Sequence, residues 1–575
     1  MCSLMLLMSS CESFLSEEPK DFLSPENLPN TEAECNMLLM GSLSYWRSNN
    51  FERHINFIAE ATTDAVVSAT ANNVARDEMN SLTWQSDNES LYKPWQQFYA
   101  CINASNIMIE KVPNASKVSD EVKTRYVAAA RYMRAMSYFY LVRIFNDVIY
   151  LDTPVNDFTS ANNMTKTPAK EIYNKIVEDL EYAEANLPVK WDSGTERPTV
   201  AAAKSLLSWV YITMAGEQVK DNTMWAKAAS KAKEVIDNAA TYGIKLEENY
   251  ADLWLVNNRY NKESIFALNF ADGLGDNQCG AEWRPTSIGS ESGWGFFYTK
   301  QSYIDKFDDK DKRKAATFLT EIVSTVDNKT YTTENFGSPY PHGKKWCDGG
   351  RENFSQRNKR TDMYIPIIRY AEILLINAEA KAELGILTQN DLNATVNLLR
   401  SRVEMPEMTI NVPIDPALEA LYPSVSGALK NVILEIRRER RVELVFEGFR
   451  FDDLMRWKAG KLLEKEPEGL YFPGLGKYDL TGDGIEDIYL IPSDANIPAE
   501  ADKETNSLGE KLVYYRTGSI DDVNATVYLR EGTKGNILTI KDMGTFQEPK
   551  YYYRPVPKHE MDLNPNLGPQ LFGWE

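Results

Sequence analysis

Histidine is nearly missing from this 575-residue chain: His54, His342 and His559 are the only three, and they lie far apart. A histidine-based metal centre or a Ser-His-Asp triad therefore has no support. Cysteine is scarce too, with six residues and no CxxC spacing, and Cys35, Cys101, Cys279 and Cys347 are compatible with buried thiols or with disulfides. No long hydrophobic run exists. The best is 3–10 within MCSLMLLMSSC, far short of the roughly 20 residues that span a bilayer. Basic charge is in deficit, 63 Lys and Arg against 83 Asp and Glu, for a net −20. With no basic stripe to offset that field, nucleic acid is excluded as the expected partner.

What is present points to a folded protein of one to three domains, with 43% hydrophobic and 11% aromatic residues. The first eleven residues resemble a bacterial lipoprotein signal, an apolar run closed by Ser9 and Ser10 before Cys11, the residue to be lipidated. No Lys or Arg precedes that run, a departure that points to a truncated signal. Residues 12–30 then read as a polar tether, and 31–575 as a single domain.

The densest charged stretch is 436–457, IRRERRVELVFEGFRFDDLMRW. Leu429, Ile433, Ile436 and Leu444 fall near helical spacing and form an apolar face, while Glu435, Glu439, Glu443 and Glu447 recur every fourth residue. Glutamates four apart on a helix lie about 6 Å apart, near the separation used in retaining glycoside hydrolysis. The flanking Arg437, Arg438, Arg440 and Arg441 favour the ionised carboxylate, the opposite of what a general acid needs. The stretch reads instead as an Arg/Glu lattice bracing a helix that Gly448 ends.

Elsewhere, helical periodicity covers 31–48, 90–112, 119–145, 168–187, 198–215 (with Pro198 at its first turn), 225–240, 363–384, 388–403 and 427–447. Residues 56–83 lose period and read as a loop. Residues 261–362 and 461–555 are rich in Gly, Pro and aromatics with short β-type runs. The fold expected is mainly α: a tetratricopeptide-like helix-pair scaffold, 31–260 and 363–460, with long irregular, partly β, loop insertions at 261–362 and 461–555. Long loops in a compact domain are usually functional, so the insertions are the expected ligand-binding regions.

Five segments together resemble the SusD/RagB family of outer-membrane nutrient-binding lipoproteins of Bacteroidetes. They are SCESFL with the following EEP (10–19), AARYMRAMSYFYLVRIFNDV (129–148), RPTVAAAKSLLSWVYITMAG (197–216), IIRYAEILLINAEAKAELG (367–385) joined to ERRVELVFEGFRFDDLMRW, and YYYRPVPKHEMDLNPNLGPQLFGW (551–574). They span nearly the whole chain in the family's order. One departure is Asn146, where the family commonly has Gly before Asp147-Val148; Asn also tolerates a positive φ. The resemblance implies a helical scaffold whose loops bind a ligand, usually an oligo- or polysaccharide. It also implies that such a lipoprotein caps a SusC-like TonB-dependent outer-membrane transporter at the cell surface and performs no catalysis.

Sugars are held by aromatic faces and planar polar side chains. In the first irregular stretch Asp64, Trp84 and Asn88 are the expected glycan contacts, because the family's contacts often lie there. In the second they are Trp283, Arg284, Trp294, Tyr298 and Trp346. The alternative for each aromatic is that it forms its own loop's core. The sequence DLTGDGIED (479–487) follows the first nine positions of a calcium loop, with Asp479, Thr481, Asp483 and Asp487 as side-chain ligands and Ile485 offering its carbonyl. Leu490 occupies the place of the closing glutamate, so the choice is between a structural Ca²⁺ completed from elsewhere and a hairpin turn. No cofactor is required. Two other functions stay open: a surface glycosidase using Glu439 and Glu443 or loop carboxylates, and a helical-repeat protein that binds peptide.

Overall fold

The computed structural model describes residues 29–574 except 49–50, 52–57, 69–73, 156, 158–161, 193–196, 271–277, 287, 325–326, 333–340, 348–360, 465–468, 482 and 539–543. Cys11 and most of the tether lie outside the described residues. The scaffold opens with helix Glu32–Trp46, which Thr31 and Glu34 start with a reciprocal capping box. Glu89–Lys111, Asp120–Phe145, Ala169–Asn186, Val200–Ala215 and Met224–Asp237 follow, each packed against the next or next but one. Tyr370–Glu383 closes the row against Met224–Asp237 and against Lys430–Glu443. This is the mainly α, tetratricopeptide-like helix-pair scaffold.

Small residues set its tightness. Ala128, Ala129, Ala130 and Ala135 are fully buried on Asp120–Phe145 between buried Tyr132, Tyr138 and Phe139, so backbones come close while rings fill the gaps. The same helix carries Arg134, whose guanidinium grips Asp179 of the next helix through two 2.8 Å hydrogen bonds. It ends at Asn146, which takes φ +63°, and all four described cysteines are buried free thiols.

Four boundaries differ from the sequence reading. Residues 56–83 contain a strand, Val66–Ser68, and a helix, Val74–Ser81. Pro198 precedes its helix; Thr199 is the cap, accepting the Ala202 amide. Ile365–Arg369 is a strand paired with Ser264–Leu268, as the β-branched IPII run and its proline favour, so the helix begins only at Tyr370. Lys430–Glu443 stops four residues before Glu447, and Phe446 (φ +67°) and Gly448 (φ +84°) turn the chain sharply. Residues 476–528 add a four-stranded sheet with small cores of its own.

Candidate functional site

The turn at 444–448 is the anchor of the loop region. Phe446 presses its ring on Trp283 (4.7 Å between centroids) and on Phe318 (5.9 Å), and its carbonyl accepts the Trp346 indole N–H at 2.9 Å. The Gly448 amide donates to buried Glu60 at 2.7 Å. Trp283 in turn packs on Phe297 at 5.2 Å. Phe297 belongs to Phe297–Thr299, a short strand paired antiparallel with Val66–Ser68 so that Tyr298 faces Val67.

Gly295 turns the chain at φ +59° just before the strand Phe297–Thr299, and burial alternates across the stretch: Gly295, Phe297 and Thr299 are buried, and Trp294, Phe296 and Tyr298 remain partly exposed. The strand's period of two turns Tyr298 away from buried Phe297 and Thr299, and Trp294 and Phe296 meet across the Gly295 turn. Trp294 and Phe296 lie nearly parallel, 5.4 Å apart at 19°, and the Arg76 guanidinium sits 4.3 Å from the Phe296 ring centre. The segment is laced to the short helix Cys279–Trp283 and its exit: the amides of Trp294, Gly295 and Phe296 donate to the carbonyls of Ala281, Arg284 and Glu282 at 2.7–2.9 Å. The lacing demands glycine at 293, where a Cβ would stand 2.3 Å from the Arg284 carbonyl oxygen. His342, beside Tyr298, is buried, which pushes its imidazole down to about 4 and keeps it neutral.

Of the eight expected glycan contacts, Trp294 and Tyr298 keep part of their rings at the surface, and Asp64 keeps 12% of its side chain exposed. Trp84, Trp283 and Trp346 are fully buried, with no face free for a sugar. Trp84 lies edge-on to Tyr551 and under the Arg554 guanidinium. Arg284 is spent on the carbonyls of Glu291 and Cys347. Asn88 caps Glu89–Lys111 through the Ser90 amide and ties it to Val74–Ser81 through the Ala75 carbonyl and Glu78. Burial raises the Asp64 carboxyl, yet Arg450 and Arg441 outweigh it and hold the group far below the carboxylate range. All six are supports of the loops. Phe296 and Arg76 went unnamed in the sequence reading, although the alternation Trp-Gly-Phe-Phe-Tyr carries the signal for Phe296.

Glu439 and Glu443 sit 2% and 0% exposed. Their partners come from outside their own helix: Arg313 and Arg400 reach Glu439, and Arg313, Arg369 and Arg402 reach Glu443. Arg369 uses all five of its N–H groups, on Glu263, on both oxygens of Glu447 and on the side chain and carbonyl of Glu443, at 2.7–2.9 Å. Glu447, off the helix, also takes Lys345. With Asp311 on Arg313, five carboxylates face five cations in one neutral buried cluster. The helix's own arginines turn to other carboxylates, Arg440 to Glu372 and Asp453 and Arg441 to Asp64. Burial raises Glu443, but Arg402, Arg369 and Arg313 bring it well below its ordinary value. Such a carboxylate cannot serve as a general acid, and no substrate reaches it.

Residues 479–481 and 483–487 lie in the turn of the hairpin Gly476–Tyr478/Ile488–Pro492. Asp479 accepts the Thr481 and Gly484 amides, Asp487 the Leu480 and Thr481 amides, and Asp483 the Ile485 amide, at 2.7–3.2 Å. Among the described residues no three His, Cys, Asp or Glu side chains converge as a metal site. The acidic side chains of the loop are turned to its own backbone rather than to a common centre.

The chain matches two family models: one described as "SusD family" over residues 316–574, and one described as "Starch-binding associating with outer membrane" over 13–212. SusD-like protein P2 of Formosa agariphila is 30% identical over 479 residues, covering 80% of this chain and 90% of that protein. Among solved structures, a laminarin-binding SusD-like protein superposes with a TM-score of 0.66 at 20% identity, over 95% of this chain and all of the other. Surface glycan-binding protein A of Bacteroides uniformis gives 0.65 at 19% identity, over 94% and 99%.

Proposed function

Because the chain belongs to the SusD/RagB family, we propose that it binds oligo- or polysaccharide at the cell surface, on the strip of Trp294, Phe296 and Tyr298, without cleaving it. The observation that carries this reading is three partly exposed aromatic rings on alternate residues of one short segment, with Trp283 and Phe446 fixing the segment from below. Pyranose C–H faces stack on such rings, and the fully buried Arg76 guanidinium packs on Phe296 and holds that ring in place. We extend the proposal to a lipid anchor on Cys11 at the outer membrane and delivery of the bound glycan to a SusC-like TonB-dependent transporter, a reading that the family resemblance supports. A glycosidase centred on Glu439 and Glu443 is disfavoured, since both are sealed in ion pairs.

Laminarin, the glycan named for one structural neighbour, is the first probe, followed by a panel of plant, host and microbial glycans. Retardation in an affinity gel without release of reducing ends is the expected result. Trp294→Ala or Phe296→Ala should each weaken binding by roughly fivefold, about 1 kcal/mol per stacked ring. Undiminished binding in the double variant rejects the strip, and reducing-end release rejects the non-enzymatic reading.

A further inference from the structure

A cavity of about 540 Å³ opens where residues 189–191 and 197–201, the turn after Ala239–Tyr242 and the strand Ser264–Leu268 meet. Lys190, Arg197, Arg259 and Lys262 line it, and no Asp or Glu does among the described residues. In a chain of net charge −20 such a one-signed lining is a marked local reversal. Another cavity, about 560 Å³, shows the contrast: there Arg313, Arg400 and Arg438 are each paired with a carboxylate in the same wall, Asp311, Glu439 and Asp415. Lys190, Arg259 and Lys262 form no ion pair among the described residues, and Arg259 makes a hydrogen bond only to the Phe270 carbonyl, at 2.6 Å.

Three more features of the wall suit a sugar. Tyr260 is 60% exposed, with the Arg259 guanidinium 5.8 Å from its ring centre, and Trp191 forms part of the lining. Thr199 caps the sixteen-residue helix Val200–Ala215, so that helix points its positive end at the cavity. Asn269 is 5% exposed, and its side-chain oxygen has no hydrogen-bond partner among the described residues, leaving an amide to be satisfied by a ligand.

We propose that this cavity binds the anionic group of an acidic oligosaccharide, a uronate carboxylate or a sulfate ester, with Lys190, Arg259 and Lys262 around the charge and Tyr260 against the ring. The inference rests on the glycan-binding reading, but it uses no residue of the aromatic strip. It is tested by calorimetry with an oligogalacturonate, a sulfated galactan oligosaccharide and a neutral oligosaccharide of equal length. Lys190 and Lys262 are exposed, so Lys190→Glu/Lys262→Glu leaves the fold intact. It should weaken one of the two acidic ligands by roughly tenfold or more, and high salt should weaken the wild type likewise. The uronate and sulfate arms tell the two chemistries apart. Tyr260→Ala should weaken the same ligand, and the neutral glycan held by Trp294 and Phe296 should bind all these variants unchanged. Acidic ligands that fail to bind, or that bind the charge-reversed variant equally well, overturn the proposal. Inorganic sulfate competing at the same concentration as the saccharide overturns its saccharide part. Loss of neutral binding in Trp294→Ala alone would leave this cavity untouched, so the two readings fail separately.

Discussion

The cluster around Lys430–Glu443 and the strip at 294–298 invert the usual rule about inside and outside. One buries charge, the other leaves aromatics at the surface. Burying an ion costs several kcal/mol unless partners replace its water, and here each guanidinium fork and carboxylate finds them, Arg369 with five hydrogen bonds. In the strip Trp294 and Phe296 stack on one another, Arg76 packs on Phe296, and the rings keep part of their surface open. The difference teaches a division of labour. Directional charge pairs fix residues 263, 311–313, 345, 369, 400–402 and 439–447 in one geometry, and the rings on the loop they fix stay available to a ligand.

The sharpest break of that comparison is to remove one partner on each side. Arg369→Ala leaves the buried cluster of Glu263, Glu443 and Glu447 one cation short, with Arg402, Arg313 and Lys345 left on these carboxylates, and a loss of about 3–5 kcal/mol is expected in chemical denaturation. Trp283→Ala should lose a similar amount, because the cavity opens beneath Phe446 and Phe297. Trp294→Ala, at a partly exposed position, should change stability by no more than about 1 kcal/mol while weakening glycan binding. If Trp283→Ala keeps full stability and loses only glycan affinity, the assignment of Trp283 to the core is wrong and the division collapses.

Much of the scaffold is readable from the chain because helix signals are local. Thr31 with Glu34, Ser119 at its cap and the alanine–aromatic mixture of 120–145 all specify their own structure within a few residues. The site is less readable because burial is decided by partners far away in sequence. Trp84 is covered by Tyr551 and Arg554, and Trp346 by Phe446, none of which a local window contains. The acidic stripe misleads for the same reason: Glu439 and Glu443 take arginines from 313, 369, 400 and 402, not the four beside them. Glu447 leaves the stripe altogether when Phe446 adopts a positive φ, which a bulky residue rarely signals.

A smaller effect separates the two regions by pH. Burial pushes Glu60 up to about 8 and Glu372 to about 7, from an ordinary 4.5. Between those values the folded protein holds protons that the unfolded chain has released, so these two groups make stability fall as pH rises from about 5 to 8. Burial also raises Glu379, but Arg456 and Arg440 outweigh it and hold it at about 2, and Glu443 is depressed likewise. Their contribution is complete above about 4.5 and drains away as pH drops toward 2. Glu60→Gln with Glu372→Gln should therefore flatten the melting temperature between pH 5 and 8 and leave the acid limb in place. An unchanged slope would refute the protonated state of both. Glycan binding on the strip should stay level over the same range, since His342 beside Tyr298 is neutral above about 4.

The smallest expected effect concerns calcium, and it carries the comparison to the surface. The carboxylates of Asp479, Asp483 and Asp487 behave like the buried ones in one respect: their acceptor oxygens already face donors, here the amides of Thr481, Gly484, Ile485 and Leu480. A cation would have to pull Asp479 and Asp487 away from those amides. The usual seventh oxygen would still be missing, because Leu490 is buried in the strand opposite Gly476. Millimolar calcium, or its removal by chelator, should accordingly shift the melting temperature by less than about 1 °C, where a site occupied at 100 times its Kd would add about 2.7 kcal/mol. Asp479→Ala should instead loosen the turn with calcium present or absent, seen as faster amide exchange at Thr481 and Gly484. A saturable calcium shift that Asp483→Ala abolishes would show that the turn reorganises around a metal, and its carboxylates would then belong with the ligand-facing groups of the strip rather than with the self-satisfied groups of the lattice.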